Sequence, residues 1–348
     1  MDAWLGILQH RYSVGVREMA CRLSLDSAFV PATENLQRMS QLTISAEALR
    51  ELVEGEGQHV CGDIVQGRYG PDWTSEDCID QTLITGADGV MVPMVTERQK
   101  QKRRVTQAQK RKNSNRKSAA KVGRPRSGND GPYKEFRIVA FYDRDKSHMY
   151  SVGIAGTPDA LGRLMRREAG KLKIDGARHK YSVTDGAPWI ARQYDRQLPM
   201  LEENILDYYH LKEHVTLVAQ TLYGEGTAKA RSWREEMMGH VWNQGSLVML
   251  DHLANYIRRH RGGTKAEALR GLRQYVAKRV NMTDYPSYRQ IGYDCGSGPT
   301  ESFCGTLTRR LKGRGMHWDK DNAQSMMALG SLYYSRLWNN YWRTRRAA

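Results

Sequence analysis

A chain of 348 residues with 40% hydrophobic and 26% charged side chains holds enough apolar material for one large domain or two to three smaller ones, which excludes general disorder. No run approaches the roughly 18 apolar residues of a membrane span. Residues 1–9 lack a basic n-region and a small-residue cleavage site, so no secretory signal is expected and the compartment expected is the bacterial cytoplasm. Five scattered cysteines (Cys21, Cys61, Cys78, Cys295, Cys304) argue for reduced thiols, and without a C-x-x-C pair a structural zinc site is not expected.

The net charge of +16 favours a polyanionic partner, either nucleic acid or an anionic membrane surface. Its distribution is uneven. Residues 98–126 carry 13 Lys/Arg and no acid, leaving 41 basic against 38 acidic residues elsewhere.

In chain order, apolar residues three or four apart at 14–23 and 45–53 predict short helices, with Ser45 a reasonable N-cap. Region 1–57 therefore reads as helical. A helix-turn-helix DNA reader and a bundle that only packs or dimerises fit it equally. Residues 58–79, with Gly, Pro and polar side chains, read as a linker. A strand pattern over 82–95 has Asp88 at its middle, where a charge is costly unless paired or metal-bound. The basic stretch 97–130 is expected to be a disordered insertion when free. Its cations, among them Arg103, Arg104, Lys110, Arg111 and Lys112, would contact phosphates without reading sequence; the plain alternative is a solubility-tuning tail.

Residues 136–142 and 149–155 are two further strands, completing an antiparallel meander. A helix is predicted over 157–171 with Pro158 at its first position. The pattern then becomes α/β: a strand ending at Asp185, a helix over 187–194 and a strand over 204–210. Residues 211–290 read as an all-helical insertion. The glycine-rich turn at 296–298 opens a helix that carries Glu301, and an amphipathic helix over 322–345 places Tyr333, Tyr334, Trp338, Tyr341 and Trp342 in the core.

A meander, then β-α-β, then a late helix is the order of an RNase H-like α/β fold: a mixed five-stranded sheet built from 80–210 and completed by 291–348. In that fold, carboxylates from two strands and one helix share a sheet edge. Taken singly, each candidate has a plain structural explanation: Asp before Gly is usually a turn residue, and Glu in a first helical turn offsets the dipole. Jointly, Asp88, Asp185 and Glu301 fit a hard-cation site, since Mg²⁺ takes oxygen ligands. Two such ions about 3.5–4 Å apart activate a nucleophile and stabilise the leaving oxygen of a phosphodiester.

The segment Gly296-Ser-Gly-Pro-Thr-Glu-Ser-Phe-Cys-Gly-Thr-Leu, followed by Arg310-Leu-Lys-Gly-Arg-Gly-Met-His-Trp, resembles the C-terminal signature of ISKra-type insertion-sequence transposases. Asp88-Gly-Val-Met-Val-Pro resembles that family's first catalytic motif and Thr184-Asp-Gly-Ala-Pro-Trp-Ile its second. Asp207-Tyr-Tyr-His-Leu-Lys-Glu-His resembles the Asp-x-x-His element of Mutator-like relatives. The likeness runs from about residue 80 to the C-terminus. It implies a DDE recombinase that cleaves element ends and transfers 3′-hydroxyls to target DNA. It also implies two Mg²⁺ (Mn²⁺ substituting) on Asp88, Asp185 and Glu301, a homo-oligomer, and DNA partners comprising terminal inverted repeats and target.

Asp207 is a rival second ligand, and with His210 it could instead brace the site. Arg309, Arg310, Lys312, Arg314 and Trp318, directly after Glu301, are candidate DNA contacts, against a solvated basic face with a core tryptophan. The other functional readings are a catalytically silent or domesticated DNA-binding protein and an RNase H-like nuclease without strand transfer.

Overall fold

The structure, a computed structural model, describes residues 11–113, 132–260 and 262–347. Its centre is a five-stranded mixed sheet: β1 (Thr82–Pro93), β2 (Tyr133–Asp143), β3 (Met149–Ile154), β4 (His179–Thr184) and β5 (Glu203–Leu206), in spatial order β3-β2-β1-β4-β5. The first three form the expected antiparallel meander, with Asp88 opposite Ile138. β4 runs parallel to β1, and β5 parallel to β4.

The two faces of the sheet are covered differently. Thr85, Ala87, Val139 and Phe141 point toward α5 (Pro158–Lys171) and α6 (Pro188–Gln197), where Tyr194 Oη lies 3.1 Å from Thr85 Oγ1. Thr157 caps α5, its hydroxyl accepting from the Ala160 amide at 3.2 Å, with Pro158 in the first turn as expected. The other face, bearing Ile84, Gly86, Asp88 and Tyr142, is covered by α12 (Gly298–Arg309), α13 (Lys320–Tyr334) and the helical insertion. That insertion comprises α7 (Tyr208–Tyr223), α8 (Ala228–Gln244), α9 (Ser246–Arg259), α10 (Gly263–Ala277) and α11 (Tyr285–Gln290). Its Leu211, Val215, Leu269 and Tyr285 share one core with Ile84, Tyr181 and Ile205 of the sheet.

The N-terminal helices α1 (Val14–Asp26), α2 (Phe29–Ser40) and α3 (Ala46–Val65) share the main core instead of forming a separate unit. Burying a charge requires a partner, and Arg17 meets that requirement by pairing with Glu56 between α1 and α3. Helix α3 runs eight residues into the expected linker. At Gly57, just before that stretch, a Cβ would lie 2.6 Å from the Ser325 carbonyl oxygen, so glycine permits a close crossing of α3 and α13.

Three further expectations change. The basic segment begins as a helix, α4 (Glu97–Asn113), because long cationic side chains are good helix formers; residues 114–131 lie outside the described residues. The strand expected over 204–210 ends at Leu206, where Asp207 caps α7 and turns the chain into helix. The last helix is broken: Arg336 takes φ +62° between α13 and α14 (Trp338–Ala347). Trp338, Tyr341 and Trp342 are buried as predicted, whereas Tyr333 and Tyr334 are half-buried. No helix among the described residues is long and apolar enough to cross a membrane.

Candidate active site

Asp88 lies mid-strand in β1, half-buried on the face covered by α12. Two residues earlier on that face, Gly86 leaves no room for a side chain: a Cβ there would sit 2.1 Å from Thr300 Oγ1 and 2.9 Å from the Val183 carbonyl. This close approach seats the first turn of α12 directly on β1. It brings Glu301 and Cys304, one turn apart, toward Asp88. The Cys304 thiol is buried beside the Asp88 carboxylate, and burial together with that charge pushes its pKa well up.

Asp185 follows the last residue of β4. It continues the alternation of Tyr181 and Val183, both on the Asp88 face. Its Oδ1 accepts from the Ala187 amide at 2.8 Å, while Gly186 turns with φ +72°. The insertion reaches this turn from the other side. Arg279 Nε donates to the Gly186 carbonyl at 3.0 Å and stacks on Tyr275 at 3.9 Å, and Tyr275 Oη is 3.4 Å from the Asp185 carbonyl. Burial beside Asp185 and Asp207 pushes the Tyr275 hydroxyl up to about 12.

The charges of Asp185 and Glu301 act on Asp88. Burial raises the Asp88 pKa, the charges of Asp185 and Glu301 raise it further, and the Gly89 amide at 2.6 Å and the Cys304 thiol offset part of this. Glu301 is exposed at the start of α12, and its Oε1 accepts from Ser297 Oγ at 3.0 Å. Among the described residues, sets of three ligand atoms within 4.8 Å of one another occur elsewhere in the molecule. The carboxylates are therefore spread wider than a single ion's ligand set.

Asp207 differs in kind. It is buried, and both oxygens are engaged by backbone amides: Oδ1 accepts from His210 N at 2.8 Å and Oδ2 from Ser297 N. Its own amide donates to the Thr184 carbonyl at 2.7 Å, and Tyr208 N donates to Cys295 O at 2.8 Å. Asp207 thus ties the ends of β4 and β5 to the turn preceding Glu301. Two of the carboxylate's acceptor positions are thereby taken by backbone amides. His210 is half-buried, and its ring meets His214 edge-on at 5.1 Å.

The cations after Glu301 divide. Arg309, Lys312 and Arg314 are exposed, as are Arg103 and Arg104 on α4; the side chains of Lys110, Arg111 and Lys112 lie outside the described residues. Arg310 and Trp318, expected to contact DNA, are buried. Arg310 Nε donates to the Ser24 carbonyl at 3.0 Å, and its guanidinium lies 4.9 Å from the Trp318 ring and 5.0 Å from Phe29. Trp318 exchanges backbone hydrogen bonds with the end of β1, to Pro93 O and from Val95 N. A planar guanidinium stacks on aromatic rings as readily as it pairs with phosphate, so sequence proximity to Glu301 did not separate these two uses.

No known protein family matches this chain, and no curated protein matches it. Among solved structures, a likeness is found to the Drosophila P element transposase strand transfer complex, at 12% identity over 93% of this chain and 92% of that one, with a TM-score of 0.40. A likeness at that level adds no weight to any assignment of the site.

Proposed function

We propose that the chain is a DDE transposase of an insertion sequence, with an RNase H-like core that cleaves element ends and joins the freed 3′-hydroxyls to target DNA. The observation that carries this reading is that Asp185 and Glu301 lie near enough to the half-buried Asp88 for their charges to act on it. Asp185, just after β4, and Glu301 on α12 raise the cost of charging Asp88 on β1. Like charges gathered at a sheet edge are stabilised by divalent cations, and the all-oxygen donor set suits Mg²⁺ or Mn²⁺.

When bound, the metal pair would supply Lewis-acid stabilisation and an activated hydroxyl nucleophile. The protein's own residues position this chemistry. Gly86 sets the depth of α12 against β1. Asp207 holds Ser297, and the Ser297 hydroxyl holds Glu301. Arg279 and Tyr275 fix the turn carrying Asp185. Exposed Arg309, Lys312 and Arg314, together with Arg103 and Arg104, supply cations for the DNA backbone.

The test is incubation of the full chain with Mg²⁺ and duplexes spanning the DNA that flanks its coding sequence. The proposal expects nicking at defined ends followed by strand joining. Cleavage without joining would identify a nuclease. A mobility shift without cleavage would identify a binding protein.

A further inference from the structure

Away from these carboxylates, helices α8 and α9 meet across a tight connection at Gly245, whose φ is +89°. Three potential metal ligands converge there. Glu236 Oε1 lies 3.9 Å from His240 Nε2 and 3.9 Å from His252 Nδ1. One ligand atom from each residue falls within 4.8 Å of the others. Glu236 and His240 are four apart on α8 and so share a face; His252 projects from α9 to meet them.

The surroundings of His240 point the same way. His240 Nδ1 lies 3.1 Å from Gln244 Oε1. His240 Nε2 is shielded from solvent and makes no hydrogen bond. The two imidazoles stack at 3.8 Å with planes 29° apart. An imidazole whose far nitrogen meets a side-chain oxygen, beside a second imidazole and a carboxylate, is the environment a transition metal selects.

We propose that Glu236, His240 and His252 form a binding site for a borderline divalent cation, Zn²⁺ or a close analogue, that clips α8 to α9 within the insertion. Zn–N bonds of about 2.0–2.1 Å in a tetrahedron set ligands roughly 3.3 Å apart, so small side-chain adjustments close the present gaps. All three side chains retain partial exposure, which gives the ion a path in and leaves a fourth position for water. The other three-ligand cluster among the described residues, Cys78, Asp143 and His148, is already satisfied internally. There Asp143 accepts from Ser147 Oγ, from His148 N at 3.1 Å, and pairs with His148 Nδ1 at 2.9 Å.

The clip does not depend on the proposed DNA chemistry, and its test keeps the two apart. Zn²⁺ is titrated calorimetrically into the full chain in millimolar Mg²⁺, which occupies all-oxygen sites. Cobalt substitution is then followed by its visible absorption. Wild type is expected to bind one equivalent with a nitrogen-ligated Co²⁺ spectrum, and His240→Asn/His252→Asn is expected to lose it. The exposed Gln244→Ala, which leaves all three ligands in place, should weaken binding about 10- to 100-fold. Loss of the equivalent in His148→Asn instead would overturn the assignment. So would undiminished binding by the double variant, or no binding by wild type.

Discussion

Replacing Gly86 with alanine tests whether the contact between α12 and β1 sets the geometry of the site. The added methyl would meet Thr300 Oγ1 at 2.1 Å, Val183 O at 2.9 Å and Thr300 Cβ at 3.0 Å. Rotating the threonine removes only the first clash. Restoring ordinary contact requires α12 to retreat by roughly 1 Å, because a packed interior has no slack to absorb the methyl. Overpacking of this kind costs about 1–3 kcal/mol of stability. The same displacement carries Glu301 away from Asp88, and misplacing a catalytic group by about 1 Å costs on the order of 100-fold in rate. Thermal melts and Mg²⁺-dependent strand cleavage read the two effects separately. Thr300→Gly in the same chain removes two of the three clashes and should recover part of both losses, a coupling that a double-mutant cycle measures. If Gly86→Ala matches wild type in melting temperature and cleavage, the proposed seating of α12 is wrong.

The crowding of carboxylates predicts a pH-dependent reversal. The folded-state pKa of Asp88 is raised above its ordinary value by burial and by Asp185 and Glu301. Its contribution to stability is therefore full below the ordinary value and lost as pH rises through the raised one. Metal-free Asp88→Asn should consequently melt above wild type at neutral pH, by roughly 1–2 °C for a gain of about 1 kcal/mol. The gap should shrink in acid and invert in saturating Mg²⁺; melts at pH 4 and 7 with and without metal check this. Arg17→Met leaves Glu56 charged and buried, which should cost about 3–5 kcal/mol in chemical denaturation, whereas Arg17→Met/Glu56→Leu should recover most of it. Asp207→Asn keeps one of two acceptors, so cleavage should fall about tenfold with Mg²⁺ stoichiometry unchanged. Loss of a bound ion on calorimetric titration of that variant would make Asp207 a ligand.

The meander, the parallel β4 and β5, and the glycine-opened helix were legible because strand alternation and turn chemistry are local. What the sequence concealed was set by contacts between distant segments. The close crossing of α3 and α13 rests on Gly57, which has no room for a side chain beside Ser325 far along the chain. Arg310 looks like its exposed neighbours Arg309 and Lys312 until Ser24, Phe29 and Trp318 surround it. Asp207 and Asp185 both follow short apolar strands. In the fold Asp207 accepts from two backbone amides, of His210 and Ser297, whereas Asp185 accepts from one, of Ala187. The histidine pair on α8 and α9 carries no close-spaced motif, since His240 and His252 are joined by folding across Gly245.

The central claim is that Asp88, Asp185 and Glu301 together form a metal-dependent site for phosphodiester cleavage. Mg²⁺-dependent cleavage of flanking-sequence duplexes by wild type and Asp88→Asn, with DNA affinity measured in parallel, tests it most directly. The account predicts that the variant loses cleavage by at least about 1,000-fold, as expected when charge stabilisation at the reacting centre is removed, while binding DNA as wild type does. Cleavage by Asp88→Asn at the wild-type rate would contradict it.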